Sequence, residues 1–450
     1  MRSLCLFLAV LCVVSAPASA VTDPDRVQVY REFRTAFDEH HFDVALPLAT
    51  KLVSMTEEQY GATDRALVNP LSNLGTTQYR MGDYKSAEQT FLRSVKIIED
   101  SGGAADRMMM RPLHGLGATY YASRQYDEAS VALKRALDLS RNLDGLFNPA
   151  QMQILEPLIA CLVELERHED VEREFQYSVR VVENAYGKTD PHVLGPLDRY
   201  ARWMERMGRY TTARVLYARA LSVAEQNGGQ TSLWTVDPLT GISRTYRLEA
   251  INGPEDTGGQ SPESFDNGGD FAPTPLSTSN QRMNADGERA AILAVQVIQK
   301  NQPVNNLTLG TTLLELGDWY MCEGQIAKAM QVYTESWKDL TLGGSTAALE
   351  APRQLAYRAP NSSITRSKLS ADNIEEHFAQ ANFTVTKDGK TADVKIASAD
   401  APESQQKQLV SALKRARYAP RFVGGVPVDT PDVTLRERLV MKRPKNSKDN

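Results

Sequence analysis

Apolar and small residues return along this chain at one fixed interval. Leu74-Gly75, Gly82-Asp83-Tyr84, Ala87, Phe91 and Ser94 are followed 42 residues later by Leu116-Gly117, Tyr120, Tyr126, Ala129, Leu133 and Ala136. The same register then carries Leu158-Ile159, Leu162, Val171, Phe175 and Ser178, and after them Tyr200-Ala201, Met204, Gly208, Tyr210, Ala213, Tyr217 and Ala220. Within one copy, Leu74, Gly75 and Gln78 share a helical face. Gly82-Asp83 breaks that helix, and Tyr84, Ala87, Phe91, Ser94 and Val95 form the apolar stripe of a second. Small residues at 75, 87 and 94 let two backbones approach, and Phe91 fills the space between them. A fixed period of this kind predicts an α-solenoid of stacked helix pairs.

The pattern extends in both directions. A weaker copy from Thr22 to Met55 holds Phe33, Ala36, Phe42, Ala45, Ala49 and Leu52 and is more polar, as a terminal capping repeat is. His40-His41 at its turn read as solvated residues, since two adjacent His side chains point apart and lack further ligands. At the fifth register position a first helix runs from Asp237-Pro238 through Ala250. Residues 252–285 are rich in Gly, Pro, Ser and Asp with no Lys, and read as a flexible acidic insertion. The missing second helix resumes at Gly287, with Ala290, Ala291, Ala294, Val295 and Ile298 on one side. A last repeat holds Leu316-Gly317, Tyr320, Gly324, Ala329, Tyr333 and Ser336. The expected solenoid spans residues 21–340 in about six helix pairs.

The Leu-Gly, Tyr, Ala, Phe and Ala positions of these copies resemble the tetratricopeptide repeat, and a 42-residue period is similar to the longer-helix subclass found in kinesin light chains. Gln78 and Val171 stand where that family has Tyr and Ala. The resemblance implies a surface that binds proteins or peptides.

After Trp337 the helical period fades. Residues 341–370 read as a linker, and Ala371–Gln380 as one short helix. From Phe383 the period becomes 2: Phe383 and Val385, a turn at Asp388-Gly389, then Ala392, Val394 and Ile396. Pro402 opens a helix with Leu409, Leu413 and Ala416 on one face. Tyr418, Pro420, Phe422, Gly424-Gly425 and Val426-Pro427-Val428 follow, and a last strand runs from Asp432 to Met441. Residues 371–443 are expected to form a small α+β domain, and 444–450 a basic tail. The order of strand, Asp388-Gly389-Lys390 turn, helix, Pro420 and Gly425-Val426-Pro427-Val428 resembles the C-terminal domain of TonB, the periplasmic end of a bacterial energy transducer. The resemblance implies that an extended segment of an outer-membrane protein pairs with an exposed strand edge, here near Val433, Leu435, Arg436 and Arg438.

Composition adds little to this picture. The chain has 450 residues, 42% hydrophobic and 24% charged, with a net charge of −5, so no global charge calls for nucleic acid or an anionic membrane. Residues 1–20 read as a signal peptide cut after Ala20, leaving no membrane-spanning segment, and together with the resemblance to TonB this implies the periplasm of a Gram-negative bacterium. Cys5 and Cys12 leave with it. Cys161 and Cys322 lie too far apart along a solenoid to bridge. No P-loop, dinucleotide turn, zinc-type Cys pairing or nucleophile elbow occurs, so no enzyme, cofactor or metal is expected.

The concave side of such a solenoid is lined by first-helix positions around the pattern glycine. These positions give Asn69, Tyr79, Arg80, Arg111, His114, Tyr121, Arg202, Arg206, Arg244 and Arg247 as candidate groove residues, with Asp198 and Glu205 among them. Guanidinium groups at this register suit a peptide carboxylate or an acidic segment. The expected function is a non-enzymatic exported adaptor, binding a peptide or protein in the groove and an envelope protein, an outer-membrane protein included, at the C-terminal strand edge. The alternative is an accessory component of TonB-type energised transport.

Overall fold

Each central helix pair in the computed structural model opens on a short polar side chain. Asp64, Asp106 and Asn148 accept a hydrogen bond from the backbone N–H two residues on, at 2.8, 2.8 and 2.9 Å. Asp190 and Ser232 do the same at 2.9 and 3.3 Å. The five stand 42 residues apart, and each starts one 3-10 turn that leads into a first helix. The turn inside a pair needs one left-handed residue. Gly82 and Gly208 supply it at φ 80° and 72°, while Arg124 and Glu166 adopt it at φ 62° and 54° despite their Cβ atoms.

The structure describes residues 24–103, 105–253, 280–360 and 374–442, without the side chains of 280–284, 374 and 440–442. The expected signal peptide (1–20), most of the acidic insertion, residues 361–370 of the expected linker and the tail (444–450) lie outside the described residues. The chain divides into two compact units, Met1–Ala185 and Tyr186–Asn450.

The first unit holds α1 (Pro24–Asp38), α2 (Phe42–Tyr60), α3 (Val68–Arg80), α4 (Tyr84–Asp100), α5 (Met110–Ala122), α6 (Tyr126–Asp144), α7 (Met152–Glu164) and α8 (His168–Tyr186), whose last residue begins the second unit. Successive helices from α1 to α7 pack on one another, and α3 also packs on α5 and α5 on α7. The glycines of the pattern are there for close approach: a Cβ on Gly75 would stand 2.9 Å from the Phe91 ring, and one on Gly117 2.5 Å from Leu133. Ala87, Phe91, Ala129, Leu133 and Val171 are buried as the spacing predicts.

The second unit continues with α9 (Leu194–Arg206), α10 (Tyr210–Gly228), α11 (Val236–Asn252), α12 (Asn280–Lys300), α13 (Asn306–Cys322) and α14 (Ile326–Leu342). The helix resuming after the insertion packs against α11 and buries Ala290, Ala291, Ala294, Val295 and Ile298. Among the described residues there are thus seven helix pairs, against about six expected.

A small strand region ends this unit: β1 (Arg353–Ala356), β2 (Ile374–Val385), β3 (Thr391–Ala399), α15 (Glu403–Arg415), β4 (Arg417–Ala419), β5 (Arg421–Val423), β6 (Val426–Val428) and β7 (Thr430–Lys442). The antiparallel order β3-β2-β7 makes one sheet, and β1-β4 and β5-β6 form two further ribbons. Ala379, Ala381, Phe383 and Val385 of β2 turn inward against Leu409 and Leu413 of α15, with Tyr418 and Leu439.

Two expectations are corrected here. From Ile374 the stretch read as a short helix is strand: it pairs residue for residue with β7, Ile374 opposite Lys442 through Phe383 opposite Val433, and this partner overrides a local helical spacing. The segment read as linker contains β1, whose Leu355 is buried in the core of α13 and α14 beside Ala419 and Phe422. A four-residue strand between prolines is too short to show a period.

Candidate functional site

In the first unit, Tyr79, Arg111 and His114 come together. With Thr76 and Ala118 they line a small cleft between α3 and α5. The Arg111 guanidinium donates to Asn73 Oδ1 at 2.6 Å. The His114 Nε2–H donates to the Gln153 carbonyl at 3.2 Å, and burial lowers its pKa, so the ring is neutral at pH 7. Tyr79 packs on Tyr84 with ring centroids 5.8 Å apart, and Tyr121 on Tyr126 at 5.4 Å, the same pair one period later. Burial, then the charge of Glu164, raises the Tyr121 pKa. Asn69 lies exposed at the other end of α3, and Arg80 is half-buried.

The second unit treats its arginines differently. Arg202 donates to Asp198 at 2.8 Å within α9, and Arg206 is exposed. Arg244 sits 2.9 Å from Glu205, 3.5 Å from Glu315 and 3.2 Å from the Tyr217 hydroxyl. Arg247, only 8% exposed, reaches Glu315 at 3.0 Å and Asp318 at 3.8 Å. Asp318 is fully buried, accepts from the Tyr333 hydroxyl at 2.8 Å, and takes both arms of the Arg353 guanidinium at 2.5 and 2.8 Å. These groups form an alternating chain of charge from α9 through α11 and α13 to β1. Burial opposes the ionised form of both Glu205 and Glu315. It prevails at Glu205, whose pKa is raised, but at Glu315 the guanidiniums of Arg247 and Arg244 outweigh it and hold the carboxyl below its usual range. The arginines therefore do not form one open cluster, since Arg244 and Arg247 serve carboxylates of the fold. Spacing along α11 could show that they share a face. It could not show Glu315, 68 residues beyond Arg247, or Arg353.

At the strand region, Val433 and Leu435 of β7 are half-buried against the module's core. The Arg436 guanidinium lies 4.9 Å from the Phe378 ring centroid, and Arg438 ion-pairs with Glu376. Among the described residues, no strand pairs the outer edge of β7.

Cys161 and Cys322 are free thiols, one in each unit, pushed up to about 12 and about 11 by burial. Among the described residues no group of three or more His, Cys, Asp or Glu is placed to hold a metal ion, and no helix is long and apolar enough to cross a membrane.

Residues 73–142, from α3 to α6, match the tetratricopeptide repeat family. No curated protein sequence matches the chain. Among solved structures it is similar to the kinesin light chain TPR-like repeats of Podosopora anserina, with 14% identity and a TM-score of 0.42 over 46% of this chain and 99% of that one. It is also similar to BtubC (BKLC) of P. vanneervenii, with 14% identity and a TM-score of 0.38 over 61% and 94%. The apo form of RapI matches with 10% identity and a TM-score of 0.38 over 70% and 98%. TM-scores below 0.5 bear on no detail of this chain. Its repeats are a fold consistent with a protein-interaction scaffold.

Proposed function

We propose that this protein is an exported adaptor of the bacterial envelope, periplasmic once its signal peptide is removed. In this reading the first-helix faces hold a protein or peptide, and the C-terminal module holds an envelope protein by adding its extended segment to the edge of β7. The observation that carries the reading is that outer edge: a 13-residue strand that, among the described residues, is paired on one side only, with Val433, Leu435 and Leu439 turned to the module's core. The residue resemblance to the TonB C-terminal domain supports the same edge, as does the order β2, β3, α15, β7. Arg436 and Arg438 along it discourage pairing with a second copy of the strand and leave a partner of different charge pattern favoured.

A photo-crosslinking phenylalanine analogue at the exposed Thr434 tests this in living cells, with the same analogue at the exposed Ser411 of α15 as control. The expected result is one envelope protein captured at Thr434 and absent at Ser411, on a chain whose N-terminus begins after Ala20. The same crosslinks at both positions, or none at Thr434, would end the proposal for the edge. An uncleaved chain in the cytoplasm would end it for the location.

A further inference from the structure

The last helix pair already carries an extended segment on its first helix. Asp318, Met321 and Cys322 follow Gly317 by one, four and five residues, the register that holds Thr76, Tyr79 and Arg80 after Gly75. Arg353 of β1 forks onto Asp318, and Leu355, on the same side of the strand, is buried in the core of α13 and α14. Gln354 faces the other way and accepts from the Tyr418 hydroxyl at 3.1 Å. Beyond the strand, the Tyr357 hydroxyl donates to Glu437 of β7 at 2.8 Å, and Arg358 donates to the Ile251 carbonyl at the end of α11 at 3.1 Å. The segment joins helices on one side to strands on the other.

We propose that residues 353–358 are a strap laid by this chain over its own last ligand face, and that an extended partner segment with Arg two residues before an aliphatic side chain displaces it. The proposal rests on reading the first-helix faces as peptide-binding faces. Two features make the strap exchangeable. It is a four-residue strand with an irregular register against β4, lying between Pro352 and Pro360, and such short edge pairings open at low cost. The Arg353 side chain remains 39% exposed, so its contact with Asp318 is reached from the rim. One feature dictates what replaces it. Asp318 is fully buried and ionic, and a carboxylate left in that site without its bidentate cation is strongly disfavoured. A displacing segment must bring its own guanidinium, an aliphatic group for the Leu355 position, and a backbone free to pair with β4. Exchange is thus segment for segment, and an acidic or purely apolar peptide does not substitute.

The probe is a fluorescently labelled peptide of residues 350–360, added to the full-length chain and to its Arg353→Ala variant. The variant is expected to bind at least tenfold more tightly than the parent chain, and the same peptide with its own Arg353→Ala change is expected not to bind. Excess peptide should also speed hydrogen exchange at the amides of 353–356 in the parent chain while those of α13 and α14 stay protected. Equal binding to both chains, or no binding to the variant, overturns the proposal. If circular dichroism shows that Arg353→Ala has lost helix, Leu355→Ala takes its place under the same criteria. Failure here with Thr434 crosslinks intact removes the strap alone, whereas strap exchange without those crosslinks removes only the β7 edge.

Discussion

The two units use the same repeat and arm it differently. At one register of the second helix, 16 residues after Gly75, Gly117, Ile159, Ala201 and Gly317, the first unit has Phe91, Leu133 and Phe175, and the second has Tyr217 and Tyr333. All are buried. The packing task is identical: Gly75 receives Phe91 as Gly317 receives Tyr333. What the second unit adds is a hydroxyl at the tip. Tyr217 takes a hydrogen bond from Arg244 and Tyr333 gives one to Asp318, so each ring is joined to the chain of charge on the first helices. In the first unit the corresponding face carries aromatic rings, with the Arg111 guanidinium on the neutral Asn73 amide and His114 uncharged. A constant backbone period thus leaves face chemistry free to vary, and a single oxygen atom marks the change.

The sharpest way to test the shared packing is a charge where the first unit has none. Ala129→Glu places a carboxylate at a fully buried position between helices, with extra volume and no partner. The expected loss is more than about 4 kcal/mol, in the range reserved for unpaired buried charges. Hydrogen exchange resolved by peptide is the suitable measurement, because a chain of two units need not unfold in one step. Exchange in α5 and α6 matching that of the parent chain would mean the helix register is wrong.

A smaller effect separates the units. Tyr333→Phe keeps the ring and removes the hydroxyl from Asp318, and should destabilise the second unit by about 1.5–3 kcal/mol, the usual worth of a hydrogen bond to a charged group. If Tyr333→Phe is neutral in denaturant unfolding, the hydroxyl is incidental and the contrast between the units collapses to packing.

How much of this was legible before the fold was known follows from the range of each interaction. Contacts within a repeat repeat with it, so Ala87, Ala129, Phe91 and Leu133 are readable from spacing alone. The caps at Asp64, Asp106, Asn148, Asp190 and Ser232 carry the same 42-residue signal and were equally available, though their chemistry is set by the chain just before each first helix and not by the apolar stripe. Long-range partners leave no such trace. Arg247 lies on a predictable face, but Glu315 reaches it across an insertion, and the partner of Asp318 comes from a strand too short to announce itself. Residues 371–380 misled for the converse reason. Ile374 and Phe378 stand one helical turn apart, yet the eleven paired positions offered by β7 outweigh any local preference.

The charge chain also predicts a pH response confined to the second unit. The Glu315 carboxyl is held below its ordinary value, so its ionised form contributes stability at pH values above the unfolded pKa of about 4.3, and this is lost as pH falls through the folded value. Glu205 has the opposite sign: its raised pKa means the ionised form weakens the folded state, and acid relieves that cost. On falling from pH 5 to pH 3 the second unit should lose stability with a slope that Glu315→Gln makes shallower by at most about 1.4 kcal/mol per pH unit, one proton's worth. An unchanged slope in the variant would show that Glu315 is not ionised by its arginines.

The smallest expected effect tests the boundary between structure and surface. Arg202 is nearly half exposed and pairs with Asp198 one turn away on its own helix, whereas Arg247 is buried and pairs across helices. Arg202→Ala should therefore shift stability by less than about 0.5 kcal/mol, as exposed pairs on one helix do. Arg247→Ala, by leaving Glu315 and Asp318 short of a cation, should cost several times more. The two side chains stand at neighbouring repeats on the same class of helix, so a melting comparison isolates burial from sequence register. Equal losses would mean that the Arg202–Asp198 pair belongs to the structural chain. A small loss at Arg202 leaves that guanidinium, with Arg206 one turn on, available to whatever the second unit binds.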